Sequence, residues 1–248
     1  MTAVRRIRRL YAGADLTTSQ GWDAYARRYK GERLGDEWNR PDVEGLDVSA
    51  DGYVAHLDSV VFAPFLGHVG TLLEIGPGGG RFSEVLLTHC DHLIAADTSR
   101  SMLDLLRGRF TAQRNISYVH LDGLGLRQIG TCSVDAAFSY GVFVHLQHWD
   151  IYNYLVEIER VLRPGGNALI QHSSTLSEQG WQYFLREVPG QLNRHKLFGT
   201  YTVMTPELMA EFARRAGLKP LGCRTDVVRT EAISLLQKAA ATSDGQAD

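Results

Sequence analysis

The chain has 248 residues, 44% of them hydrophobic, enough to bury one substantial core and at the upper end for a single domain. Its 26 basic and 28 acidic residues are interspersed and leave a formal net charge of −2, so no global field gathers nucleic acid, and no apolar run approaches the roughly 20 residues of a membrane-spanning helix. Cys90, Cys132 and Cys223 lie far apart without a C-x-x-C pair, which argues against a structural zinc site or a disulfide framework and fits a reducing cytoplasm.

Arg5, Arg6, Arg8 and Arg9 have no apolar segment behind them, which reads as a solvated arm rather than a secretory signal. Residues 1–67 read as a mostly helical region. In it Trp22, Tyr25 and Tyr29 recur at helical spacing on one face, and Trp38 and Tyr53 add to the same aromatic layer. Gly31, Gly35, Pro41, Gly45 and Gly52 punctuate it with loops.

Thr71 to Arg81 is the stretch around which the chain is organised. The apolar run Leu72, Leu73 and Ile75 suits a buried strand, four glycines come next, and Phe82, Val85 and Leu86 begin a helical pattern over Phe82–His89. Bare backbone at Gly76, Gly78 and Gly80 lets a ligand lie close, and the N–H groups of a helix start favour a negatively charged group, so the loop reads as a cofactor cradle. It lacks the Gly-Lys-Ser/Thr of a nucleotide-hydrolase phosphate loop. The third glycine of a dinucleotide fingerprint would fall at Arg81, which demotes NAD or FAD.

His89, Cys90, Asp91 and His92 point different ways at a helix end and read as surface rather than as metal ligands. The second strand, Leu93–Ala96, closes on Asp97. That acid lies 21 residues after Gly76, close to where a nucleotide-binding βαβ unit sets a carboxylate on ribose hydroxyls. Thr98 or Ser99 suits a helix N-cap with Met102 and Leu106 in the core. A third strand, Ile116–His120, leads into Asp122-Gly123, where the acid either forms an Asx turn or accepts from an adenine amino group. The fourth strand is Val134–Ser139.

A helix over Asp150–Leu162 stops at Arg163-Pro164-Gly165-Gly166, and Ala168–Gln171 form the fifth strand. Residues 173–202 are an aromatic insertion with Trp181, Tyr183, Phe184, Phe198 and Tyr201, suited to a cap over a pocket, a dimer surface or plain packing. Thr205 caps a helix over Pro206–Ala216, two more strands cover about Leu218–Arg224 and Ile233–Lys238, and 239–248 read as a disordered tail.

Glu74-x-Gly76-x-Gly78-x-Gly80, the D-x-S-x-x-M-L run from Asp97 to Leu103, Asp122 after the third strand, and Val161-Leu162-Arg163-Pro164-Gly165-Gly166 occur in that order. Over residues 68–238 the chain resembles the class I S-adenosylmethionine-dependent methyltransferases of small-molecule type. The resemblance implies an α/β fold: a doubly wound, seven-stranded, Rossmann-like sheet with an antiparallel last pair, an N-terminal helical lid (1–67) and a cap insertion after the fifth strand. The implied cofactor is S-adenosylmethionine, leaving as S-adenosylhomocysteine. Glu74, Gly76, Pro77 and Gly78 would form its cradle, Asp97 would hold the ribose, and Thr98, Asp122 and Gly123 would border the adenine. The Ser139 or Tyr140 carbonyl would receive the amino group, and Tyr29, in Asp23-x-x-Ala26-x-x-Tyr29, would reach the carboxylate.

No metal is expected, because the magnesium-dependent subclass needs acids where this chain has Ser139 and Tyr140. A hydroxyl acceptor must lose a proton, and His172, directly after the fifth strand, and His145, after the fourth, are the candidate bases, ahead of His148 and His120. The absence of Asn/Asp-Pro-Pro-Tyr argues against methylation of nucleic-acid bases or glutamine. The expected activity is O-methylation of a small, natural-product or sugar-like molecule in the cytoplasm, without nucleic acid or membrane, with a homodimer as the candidate assembly. Small-molecule N-methylation, an NAD-dependent oxidoreductase and a non-catalytic cofactor-binding module are the alternatives.

Overall fold

The computed structural model describes residues 18–29, 33–36, 39, 47–49, 52–192 and 202–241. The arginine arm, Gly31, Trp38, Pro41, Gly45, Phe198, Tyr201 and residues 242–248 lie outside the described residues. Seven strands, β1 (Val69–Ile75), β2 (Cys90–Asp97), β3 (Ile116–His120), β4 (Val134–Ser139), β5 (Leu162–Ser173), β6 (Leu218–Arg224) and β7 (Glu231–Lys238), form one sheet in the order β3-β2-β1-β4-β5-β7-β6. The first five are mutually parallel, and β7 is antiparallel to both β5 and β6. Strand order reverses between β1 and β4, which leaves a crevice at their carboxyl ends.

Both faces are covered, and the side-chain period of two sorts the apolar residues between them. Leu73, Ile75, Ala137, Ala168 and Ile170 pack on one face beneath α6 (His148–Val161) and α8 (Pro206–Arg215). Leu72, Ala136, Phe138 and Leu169 point to the other, where Phe82, Leu86 and Ile233 meet them. A third cluster seats α5 (Arg100–Arg109) on β2 through Ala95, Leu103, Leu106 and Phe110.

Residues 53–66 continue the second face. The short helices α2 (Tyr53–Leu57) and α3 (Ala63–Leu66) flank a π-helical turn, Asp58–Phe62, and bury Tyr53, Leu57, Val61, Phe62 and Leu66 in the same cluster as the sheet residues. Packing therefore crosses the expected boundary at residue 67, and this segment is core rather than lid. His89 departs from its expected surface position: it is 9% exposed and bridges the Gly67 carbonyl oxygen at 2.9 Å and the Asp58 carboxylate at 2.6 Å. It thereby ties the π turn to the end of the first βα unit. The remaining described helix of the first 67 residues is α1 (Ser19–Arg28), capped by Thr18 Oγ1 accepting from the Gly21 N–H at 3.1 Å.

Two lengths differ from expectation. The helix after the glycine loop, α4, is only Ser83–Leu86. Arg163-Pro164-Gly165-Gly166 does not precede β5 but lies inside it, because Gly165 at φ +83° lets the strand bulge and continue where the β4 register also shifts. The insertion contains α7 (Glu178–Leu192). No helix among the described residues is long and apolar enough to cross a membrane.

Candidate active site

The loop leaving β1 is held from one side and open on another. Gly76 has φ +70° and donates its N–H to the Ala96 carbonyl oxygen at 2.8 Å, and a Cβ there would stand 2.2 Å from Val142 Cγ2. Gly78 has φ +55°, and a Cβ there would meet nothing within 4 Å. The first glycine lets the loop approach the turn after β4, and the second presents bare backbone to the crevice.

Asp97 ends β2 beside this opening and is 8% exposed. Its Oδ1 accepts the Ser99 N–H at 2.8 Å and its Oδ2 the Gly78 N–H at 3.3 Å. Burial outweighs those bonds and, with the Asp23 charge nearby, pushes the carboxyl up to about 6. Glu74 stands behind the loop, 2% exposed, and accepts from Ser83 Oγ at 2.5 Å. Burial lifts it to about 7. Its hydroxyl partner opens α4, so Glu74 braces the loop from beneath.

Helix α1 is fastened beside the same strand end. Asp23 Oδ1 accepts from Ser99 Oγ at 2.6 Å and from the Ser101 N–H at 3.0 Å, and Arg27 donates to Ser101 Oγ at 3.2 Å. Burial raises the Asp23 carboxyl, but those bonds and the Arg27 charge hold it below the usual carboxylate range. Ser99 meanwhile caps α5 by accepting from the Met102 N–H at 3.1 Å. One serine thus joins α1, the acid and the start of α5. Tyr29 directs its hydroxyl to the Arg33 carbonyl oxygen at 3.0 Å.

On the acceptor side, buried Ser139 donates to the Ile75 carbonyl oxygen at 3.1 Å and locks β4 to β1 at the switch point. His145 closes a 3₁₀ turn, Phe143–His145, half-buried with its ring 5.4 Å from that of Trp22 on α1. His172 requires a correction. Because β5 runs on to Ser173, His172 is within the strand, paired with Ala232, and 0% exposed. Its Nδ1 lies 2.7 Å from the Ser173 carbonyl oxygen and its Nε2 2.9 Å from Ser234 Oγ, and burial depresses it to about 4. It is a core histidine with both nitrogens engaged. His120 and His148 bond the Thr98 and Val203 carbonyl oxygens at 3.1 and 2.7 Å.

Residues 73–170 match the protein family described as a methyltransferase domain. Over that stretch the chain is similar to methyltransferase domains, and the solved structures that share its fold include methyltransferases. A ribosomal RNA small subunit methyltransferase A of Coxiella burnetii is 35% identical over 68 residues, 27% of this chain and 26% of that protein. A demethylmenaquinone methyltransferase of Clavibacter sepedonicus is 30% identical over 126 residues, 49% of this chain and 50% of that protein. The chain thus spans between about a quarter and a half of the length of these curated relatives. Among solved structures, the cyclase SpnF has a TM-score of 0.60 at 14% identity over 84% of this chain and 96% of that one, a likeness of fold alone.

The residues present would fit S-adenosylmethionine, with a loop open at Gly78 and the buried Asp97 carboxylate beside it. Asp122 is exposed, and its Oδ1 accepts the Leu124 N–H at 2.8 Å around Gly123 at φ +82°, an Asx turn that leaves the second carboxylate oxygen available. Among the described residues no cluster of three His, Cys, Asp or Glu is disposed to hold a metal. Sequence reasoning missed the parts played by Asp23 and Ser83. Asp23 belongs to the lid pattern that ends at Tyr29, but its partner Ser99 is 76 residues away.

Proposed function

We propose that this chain is an S-adenosylmethionine-dependent methyltransferase that transfers the methyl group to a hydroxyl of a small molecule. Buried Asp97, held by the Gly78 and Ser99 amides beside the open loop, carries the reading. In it Asp97 accepts the ribose hydroxyls, the Gly76-Pro77-Gly78 backbone lies along the cofactor, and Thr98, Asp122 and Gly123 border its base. The Ser139 carbonyl faces the amino group, and Tyr29 takes part by exchanging the Arg33 carbonyl oxygen for the carboxylate.

When bound, the cofactor supplies a methyl on a cationic sulfur together with its own leaving group. The chain's residues then have to align the acceptor with that methyl, which can contribute about 7–11 kcal/mol. His145 takes the acceptor's proton, a step that typically adds about 10²- to 10⁴-fold. Its half-buried place after β4, against Trp22 of α1, supports this role over His172.

The balanced surface charge supports a small molecule, as does the Clavibacter relative, which is named for a demethylmenaquinone acceptor. Three unpaired cysteines, Cys90, Cys132 and Cys223, favour a cytoplasmic setting. The test has two stages: calorimetry with S-adenosylhomocysteine, then transfer of isotopic methyl into fractionated host metabolites. Heat in the first and a labelled small molecule in the second are expected; no heat overturns the reading. His145→Ala is expected to lose turnover and keep cofactor affinity.

A further inference from the structure

Two donors flank Gly141, at the turn where β4 ends, and the proposed methyl transfer uses neither. The first is the Gln171 amide. Gln171 is 0% exposed, and its Oε1 accepts the Gly141 N–H at 2.6 Å. Its Nε2, on the same amide carbon, has no hydrogen-bond partner among the described residues. Native chains rarely leave a buried donor unmet, and where they do, a ligand or an ordered water usually completes it. Alternation along β5 sets Gln171 on the Leu169 face, the face on which Tyr53, Phe82 and Tyr140 pack.

The second donor is Arg81, directly after the glycine loop. Its guanidinium carbon lies 4.5 Å from the Phe82 ring centroid and 5.4 Å from that of Tyr140, and its Nη2 is 3.8 Å from where a Cβ on Gly141 would stand. Among the described residues this half-buried cation makes no ion pair and no hydrogen bond. Glu74, which lies within its field, is bonded to Ser83 instead. A planar charged fork and an amide N–H, with no acceptor turned toward them, match an oxyanion.

We propose that Arg81 and the Gln171 amide form an oxyanion seat beside Gly141, and that the methyl acceptor carries a carboxylate held there. This rests on the methyltransferase reading and narrows its substrate class. The aromatic rings beneath Arg81 fix the plane of the fork, and Gly141 without a side chain keeps it reachable.

The test titrates full-length protein, first loaded with S-adenosylhomocysteine, with 4-hydroxybenzoate and its neutral isostere 4-hydroxybenzamide, by calorimetry and by the Arg81 Nε–H resonance. The acid is expected to bind at least about tenfold tighter than the amide and to shift that resonance. Arg81→Met and Gln171→Glu, the latter still able to accept from Gly141, are expected to reduce the preference to under about threefold. Arg81→Lys, which keeps the charge, retains part of it. S-adenosylhomocysteine affinity unchanged in all three variants is the control for folding. Equal binding of acid and amide, or an unmoved Arg81 resonance, overturns the seat. So does an Arg81→Met variant that loses cofactor affinity while keeping the acid preference, since Arg81 would then serve the cofactor's own carboxylate. Failure of wild-type protein to bind S-adenosylhomocysteine, read before any acid is added, overturns the underlying reading instead.

Discussion

Replacing Asp23 by alanine removes two of the bonds that fasten α1 beside the end of β2, the 2.6 Å bond from Ser99 Oγ and the 3.0 Å bond from the Ser101 N–H, and leaves the Arg27–Ser101 bond. Hydrogen bonds onto an ionised acceptor contribute about 1.5–3 kcal/mol each, and solvent around half-exposed Asp23 screens part of that, so about 1–3 kcal/mol for the pair is the working figure. For a chain of this length each kcal/mol moves the melting temperature by about 2–4 °C, so a fall of about 2–12 °C is expected. Because Ser99 also donates its N–H to Asp97, S-adenosylhomocysteine affinity is expected to fall by about 3- to 30-fold. Differential scanning calorimetry and titration calorimetry read the two effects separately. Asp23→Asn, which keeps an oxygen acceptor, should show a fraction of each. The lowered Asp23 carboxyl adds a pH signature: its contribution is present above the ordinary value of 3.8 and is lost as pH falls through the lowered one. An alanine variant matching wild type in both melting temperature and cofactor affinity would refute the reasoning and leave the docking of α1 to its apolar face and the Arg27–Ser101 bond.

The glycine loop separates two kinds of damage. Gly76→Ala forces φ +70° on a side chain whose Cβ meets Val142 at 2.2 Å, so both melting temperature and cofactor affinity should drop. Gly78→Ala meets open space at φ +55°, so affinity should fall much further than stability, as the same two calorimetric measurements would show. Asp97 at about 6 and Glu74 at about 7 hold their protons more tightly folded than unfolded, so their contribution is full below about pH 4 and lost as pH rises through those values. Asp97→Asn should therefore melt above wild type at pH 8 without ligand while binding S-adenosylhomocysteine at least about tenfold more weakly. His172 acts with the opposite sign: depressed from 6.5 to about 4, it removes stability as pH falls between those values. His172→Gln should flatten that part of the melting profile and leave the pH dependence of turnover unchanged; a shifted turnover profile would restore His172 as a base.

The parts of the site legible in the sequence were those set by local rules. The glycine loop follows from backbone dihedrals, Asp97 from the fixed length of a βαβ unit, and the Ser99 cap from three residues of helix start. The sheet was legible because buried strands and amphipathic helices alternate. What local rules could not supply was decided by distant pairing. Pro164 and Gly165 read as a strand boundary, yet pairing with β7 from Asn167 to Ser173 draws the strand through and past Gln171. That two-residue extension moves His172 from the active face into the core. Residues 53–66 read as lid because their apolar face gives no hint of its partner, which is supplied by Phe82, Phe138 and Leu169. Gln171 carried no signal at all, since a lone glutamine at a strand end is ordinary until its amide is found bonded to Gly141.

The position of β7 bears on how the chain is made. A ribosome delivers β1 through β5 first, and until Glu231–Lys238 arrives β5 has an open flank of unpaired backbone amides and carbonyls. Ser234, the bonding partner of His172, is on that same late strand. A nascent chain stalled in the preceding loop is therefore a species that chaperones must hold, and expression hosts short of them should give inclusion bodies nucleated on β5.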